Sequence, residues 1–199
     1  MQRLKHSFLL VFICSILFSQ HRGDSVVRQG VDAFFNYEYE KSIEILSNAR
    51  VEFYEHPVVH TVWAAAWYQF DQSQFSADTV YSKFETRLNE IEQIYDSLLT
   101  KYPENAEYLL YLGTAQSLRA RIYLGQKRFV STFYAAYQGF RTIQRANKGS
   151  QGVKDIYLPI GVIEWYSGLS NPVVQIAAQT LGVDPSRANG IKKMEIAAN

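Results

Sequence analysis

A chain of 199 residues with 47% hydrophobic and 15% aromatic content carries enough apolar material for one sizeable core or a short helical array, which excludes a largely disordered protein. Twenty Lys and Arg against 19 Asp and Glu leave almost no net charge, so no nucleic-acid partner is expected for the chain as a whole. Fourteen Tyr and 12 Phe suit helix interfaces and partner-binding grooves equally well.

At the N-terminus, Arg3, Lys5 and His6 precede an uncharged apolar run over residues 7–19, the layout of a secretory signal peptide. Thirteen residues at ~1.5 Å rise cover roughly 20 Å, short of the ~30 Å hydrocarbon core of a membrane. The expected division is a signal peptide at 1–19, cleaved after Ser19, and a helical domain at 20–199; an uncleaved anchor is the alternative. The expected location is accordingly outside the cytoplasm: exported, and periplasmic or envelope-associated in a bacterium. The only cysteine, Cys14, lies in the apolar run, so cleavage would leave no disulfide and no thiol chemistry.

Beyond residue 20 the apolar periodicity is helical, and no alternating pattern of strand type is evident. Pro57 and Pro103 stand where helices could begin, since a missing N–H costs little in a first turn. Residues 57–70 and 79–99 read as a helix pair joined by a turn at 71–76, and Phe84, Leu88, Ile91, Ile94, Tyr95, Leu98 and Leu99 give the second member a clear amphipathic face.

Internal repetition organises the rest. Gly30 is followed twelve residues later by Ser42, then by Leu46 and Ala49, with Tyr39 three residues before Ser42. Physically, that pattern places small residues where two helices cross and a larger one in the hole beside them. A second copy is read from Leu112 and Gly113 to Phe129, Thr132, Ala136 and Gly139, with a gap seven residues longer, close to two helical turns. A third runs from Ile160 and Gly161 to Gly190, Met194 and Ala197, stretched by seventeen residues that include an apolar insertion.

In these spacings the chain resembles the tetratricopeptide-repeat (TPR) superfamily, in particular exported or envelope-associated bacterial members with divergent repeats. The resemblance covers roughly residues 24–199. It implies an all-α fold in which antiparallel helix pairs stack as a short TPR-like right-handed solenoid with a concave, partner-binding face. By the same resemblance, groove-facing positions are Val27, Val31, Phe34 and Phe35 in the first copy and Tyr157 to Trp165 in the third, with Tyr166 beside them. Such repeats have no common catalytic residue. No capping helix follows Ala197, so the C-terminal end is expected to be incomplete or covered by a partner.

Candidate chemistry is sparse. His56 and His60 have an i, i+4 spacing, but Pro57 between them argues for a solvated turn histidine and a surface or groove histidine rather than a metal site. Glu164 beside Trp165 and Tyr166 is the most suspicious acid, with no second carboxylate at a supporting distance along the chain; Trp165 is expected in the interhelix core and Glu164 on a groove or surface. Lys127, Arg128, Arg141, Arg145 and Lys148 form a basic cluster that reads as a solvated helix face or a stripe for an acidic partner. No phosphate loop, dinucleotide fingerprint or nucleophile elbow occurs, and no cofactor is expected. The insertion over 170–185 is read either as a short helix covering the edge of the last pair or as a contact for a partner, a membrane surface or an envelope complex. The expected function is a non-enzymatic, exported scaffold that holds a peptide or protein in an aromatic groove. The alternative is a small-ligand carrier or hydrolase using an aromatic interior pocket with Glu164 as its acid.

Overall fold

The computed structural model describes residues 21–149 and 153–198. Among these, every regular element is helical. The expected signal segment, Cys14 and the cleavage point lie outside the described residues, and no described helix is long and apolar enough to cross a membrane. The chain divides into two compact units, the first ending at Gln74 and the second beginning at Phe75.

The first unit holds α1 (Asp24–Phe35), α2 (Tyr39–Glu52) and α3 (Val59–Gln74), with α2 packed against both neighbours. Its core gathers Val27, Leu46, Ala49 and Val59, lined by Phe53, Val62 and Trp63. The helices α1 and α2 meet where the periodicity places the small residues. Ser42 Oγ donates to the Gly30 carbonyl at 2.8 Å, and a Cβ added at Gly30 would stand 2.5 Å from the end of the Leu46 side chain. Leu46 and Ala49, on the next turns, are 0% and 2% exposed.

The second unit holds α4 (Ala77–Lys101), α5 (Ala106–Gly125), α6 (Phe129–Gly149), a short 3-10 turn (Lys154–Ile156), α7 (Tyr157–Leu169), α8 (Pro172–Thr180) and α9 (Arg187–Ala198). Here α4 packs on α5, α5 on α6, and α7 on α9. On α4 the expected face is buried at Phe84, Leu88, Ile91, Tyr95 and Leu98, joined by Val80, whereas Ile94 and Leu99 at its edge are only partly buried. Leu109, Leu110, Ile143 and Ala146 form a core that Ile156 and Ile160 join to α7.

Helix starts differ from the proline-based expectation. Pro57 and Pro103 lie in the turns, and the helices begin at Val59 and at Ala106. For α5 the reason is a better cap: the Asn105 side chain accepts from the backbone N–H groups of Glu107 and Tyr108, satisfying donors that a proline start would leave bare. The two helices that the sequence reads as a pair, over 57–70 and 79–99, are α3, which starts two residues later and ends four later than expected, and α4, which is two residues longer at each end. They fall in different units, and each packs with its other sequence neighbour.

The register of the second copy is corrected by the structure. A Cβ at Gly113 would meet the Gly139 carbonyl at 2.8 Å and Ile143 at 2.6 Å, and one at Gly139 would meet the Gly113 carbonyl at 2.6 Å. The residues that match Ser42, Leu46 and Ala49 are therefore Gly139, Ile143 and Ala146, one heptad beyond Thr132, Ala136 and Gly139. Two added turns return a helix to nearly the same face, so sequence spacing alone gives both registers. Tertiary contact selects the later one, because only there are the +4 and +7 residues buried, Ile143 at 1% and Ala146 at 0%.

The same hairpin turn closes both copies. Between α1 and α2, Tyr37 has φ 64°, and the Glu38 N–H reaches back to the Ala33 carbonyl at 2.9 Å. Between α5 and α6, Lys127 has φ 59°, and the Arg128 N–H reaches the Tyr123 carbonyl at 2.8 Å. Measured from this shared turn to the crossing, α5 and α6 are each longer than α1 and α2 by one heptad. The third pair keeps the expected register: a Cβ at Gly161 would meet the Gly190 carbonyl at 2.6 Å and Met194 at 3.0 Å.

Candidate functional site

The extension of α5 and α6 is held by a polar clasp with α4. Arg119 donates to Glu92 at 2.7 Å and to Asn89 at 2.8 Å, and lies 3.5 Å from Glu85, which also accepts from the Tyr123 hydroxyl at 3.2 Å. Burial opposes the charge on Arg119, but hydrogen bonding and attraction to Glu92 outweigh it and strengthen its hold on the proton. The outer face of the extension is apolar and open: Phe129, Val130, Phe133 and Tyr134 are all more than half exposed.

Alongside this extension stands the insertion. Asn171 caps α8 by accepting from the Val174 N–H at 3.1 Å, Pro172 occupies the first turn, and Gln144 Nε2 donates to the Gly182 carbonyl at 3.1 Å. Val183 is buried, yet none of the residues of α8 itself is. The insertion is thus anchored at its end and packs against α7, and a groove of about 240 Å³ stays open between α6, α7 and α8.

Two matched stripes form its walls. On α6 they are Phe133, Ala136, Tyr137 and Phe140; on α8, Val174, Ala177 and Ala178, with Leu181 at its C-terminal cap. Both follow the i, i+3, i+4, i+7 spacing of an apolar helix face. Ile163 and Ser167 of α7 form the floor, and polar groups among the lining side chains are limited to Ser167 and the Tyr137 hydroxyl. Sequence reasoning singled out the insertion but missed the α6 wall, because a single repeat face was assigned to that helix. The available signal was a second apolar stripe on α6, together with the absence of any Asp or Glu between Glu107 and Asp155.

The residues expected to face a groove are distributed differently. Val27 is 2% exposed, inside the first core, because its position on α1 points at Leu46, Ala49 and Val59. Val31 packs at the edge of that core. Phe34 and Phe35 do reach an outer edge, where Phe34 lies 5.3 Å from Phe35 and 5.9 Å from Tyr39, ring centre to ring centre, and Phe35 is 70% exposed. A cleft nearby is lined by Tyr37, Glu38, Tyr39, Lys41, Phe70 and Ser73. Tyr157 is half-buried, and Trp165 and Tyr166 meet edge to face at 4.8 Å with Tyr166 mostly exposed.

Glu164 and Trp165 exchange the places expected of them. Glu164 is buried at the α7–α9 crossing, where one carboxylate oxygen accepts from Lys193 and the other accepts no hydrogen bond among the described residues. Trp165 is only partly buried. The cause is the close approach at Gly190, whose added Cβ would meet the Trp165 backbone N–H nitrogen at 2.7 Å: so tight a crossing leaves no room for an indole in its centre. Glu164 does not line the apolar groove.

Nor are the two histidines solvated. His56 Nδ1 accepts from the Val58 N–H at 3.3 Å while Nε2 lies 2.8 Å from Asp24, which assigns the Nε2–H tautomer as donor. Burial pushes the Asp24 carboxyl upward, but the His21 backbone N–H and His56 overcome this and hold it below the ordinary aspartate range. His60, fully buried, directs Nε2 at the Tyr54 carbonyl at 2.7 Å and accepts from Arg50 Nε at 3.1 Å. Arg50 in turn lies over the Trp63 ring at 3.6 Å. Each imidazole is thus committed to a different partner, and among the described residues no three His, Cys, Asp or Glu side chains converge as metal ligands.

Comparison with protein-family models, with characterised proteins and with solved structures gives no match to this chain.

Proposed function

We propose that this chain is an exported, TPR-like scaffold that holds a peptide or protein partner in an aromatic groove, with no catalytic role of its own. The helix pairs of each unit are read as pieces of a short right-handed solenoid of TPR type. The observation that carries this reading is the recurrence of one crossing: Gly30 with Ser42, Leu46 and Ala49; Gly113 with Gly139, Ile143 and Ala146; and Gly161 with Gly190, Met194 and Ala197. A repeated crossing of this kind builds surfaces out of stacked helices. Export and an envelope location are supported by Arg3 and Lys5 ahead of the apolar run at 7–19.

The test is in-cell photo-crosslinking of the full chain, with a photoreactive residue placed at Phe35 in one variant and at Phe133 in another. A reproducible adduct with one defined protein from the extracytoplasmic fraction is the expected result. Absence of any protein adduct at both positions, or a full-length chain confined to the cytoplasm, would overturn the scaffold reading.

A further inference from the structure

The two departures from the repeat, the one-heptad extension of α5 and α6 and the insertion carrying α8, converge on the same groove. Within the α5–α6 and α7–α9 pairs the crossing is closed to the point of backbone contact. Between α6 and α8 it is not: two apolar stripes of helical spacing flank about 240 Å³ that no side chain of the described residues fills. A cavity of about 150 Å³ holds a benzene-sized group, so this one has room for more than one large apolar side chain. Phe133 remains 58% and Val174 45% exposed, which leaves apolar surface in water unless a third element lies between the walls.

Charge selects what that element can be. α8 carries no charged residue, and α6 carries Arg141, Arg145 and Lys148 without one carboxylate. Arg145 is paired with Glu104 at 2.5 Å and Arg128 lies over Tyr123 at 4.4 Å, whereas Lys127 and Arg141 make no ion pair among the described residues. Arg141 follows Tyr137 by one helical turn, at the end of the α6 wall, and Lys127 stands in the turn that opens it. The single acid of α7, Glu164, is buried and already neutralised by Lys193. Asp184, which follows the lining residue Val183, is exposed but already accepts from Asn189. An apolar trough with no acid among its lining residues, and with Lys127 and Arg141 before and after its α6 wall along the chain, disfavours a basic segment and favours an acidic one.

Resting on the scaffold reading above, we infer that the α6–α7–α8 groove receives an amphipathic helix of a partner protein, one that presents apolar side chains at i, i+3 or i+4, and i+7, flanked by Asp or Glu. The walls run for about two helical turns, so two or three anchors carry the contact and the flanking acids fix its direction against Arg141 and Lys127. The concave form distinguishes this occupant from a lipid surface, which engages protruding residues such as Val173 and Ile176 and leaves a recessed cavity unfilled.

The inference is tested with the full chain and three probes: a fluorescent amphipathic helix of Leu, Ala and Glu, about 18 residues or ~27 Å long; the same peptide with Lys in place of Glu; and vesicles of phosphatidylcholine with phosphatidylglycerol. The Glu peptide is expected to bind saturably and at least about tenfold more tightly than the Lys peptide at low salt, with the preference shrinking as salt is added. Ala177→Phe fills the groove from an exposed position and is expected to weaken Glu-peptide binding at least about tenfold with the melting temperature unchanged. Arg141→Glu is expected to reduce the Glu-over-Lys preference, and Val173→Asp, off the groove wall, to leave peptide binding intact. Equal binding of both peptides, binding indifferent to Ala177→Phe, or vesicle binding that Val173→Asp abolishes while neither peptide binds would each overturn the inference. Crosslinks to a partner through Phe35 but never through Phe133 would also overturn it while leaving the scaffold reading standing; the loss of both crosslinks removes both.

Discussion

The α1–α2 and α5–α6 hairpins share a three-residue turn with a left-handed central residue and the same small, +4, +7 pattern at the crossing, yet they meet in different ways. In the first, Gly30 faces the end of the Leu46 side chain, and Ser42 bonds to its carbonyl. In the second, Gly113 and Gly139 face each other's carbonyl oxygens. A side chain can rotate out of the way, whereas a helix backbone can yield only by moving the whole helix. One sequence pattern thus produces a tolerant crossing and an intolerant one. The intolerant crossing belongs to the hairpin that carries the extra heptad and the groove.

The largest expected effect breaks the intolerant crossing. Gly139→Ala puts a methyl 2.6 Å from the Gly113 carbonyl and 2.8 Å from the Ser117 backbone nitrogen, and is expected to lower stability by about 3 kcal/mol by pushing α5 and α6 apart. Chemical denaturation measures it, and a variant as stable as the parent would show that the crossing is looser than described. Next comes Arg119→Ala, which strands Glu92 and Glu85 and loosens the extension; a loss of about 2 kcal/mol is expected, together with faster amide exchange in the last turns of α5. Unchanged exchange there would mean that apolar packing alone holds the extension.

Gly30→Ala sharpens the comparison from the other side. Its methyl meets side-chain atoms alone, Leu46 at 2.5 and 2.6 Å and Ile45 at 3.3 Å, and helix propensity returns about 1 kcal/mol, so the net change is expected to stay within about 1 kcal/mol of the parent. A loss equal to that of Gly139→Ala would erase the distinction between the two crossings. The smallest effect is electrostatic. Because the folded-state proton affinity of Asp24 is depressed, its contribution is complete above the unfolded-state value near pH 4 and fades as pH falls through the folded-state value. Asp24→Asn is therefore expected to cost less than about 1 kcal/mol at neutral pH, and the stability curves of parent and variant should converge on acidification. A constant offset between pH 6 and pH 3 would assign the effect to packing instead.

Much of the fold can be read along the chain. The helical class, the buried face of α4 and the crossing residues of the first and third pairs all follow from apolar period and small-residue spacing, because a helix face is a local property that needs no knowledge of its partner. The groove was half legible: the insertion announced itself as apolar sequence beyond the repeat, while its opposite wall on α6 was hidden behind the repeat face of the same helix. Likewise, the burial of His56 and His60 depends on Asp24, Tyr54 and Arg50 arriving from elsewhere, which no i, i+4 spacing conveys.

The sequence by itself determined that the described chain is built of paired helices and which residues are small enough to let them touch. Only the tertiary structure decided that Gly139 rather than Thr132 meets Gly113, that Glu164 is buried with Lys193 while Trp165 moves outward, and that the extension and the insertion leave a groove between them. The physical reason is the near coincidence of two helical turns with seven residues. A helix shifted by one heptad presents almost the same face, so periodicity names the face, and only steric contact with the partner fixes the position along it.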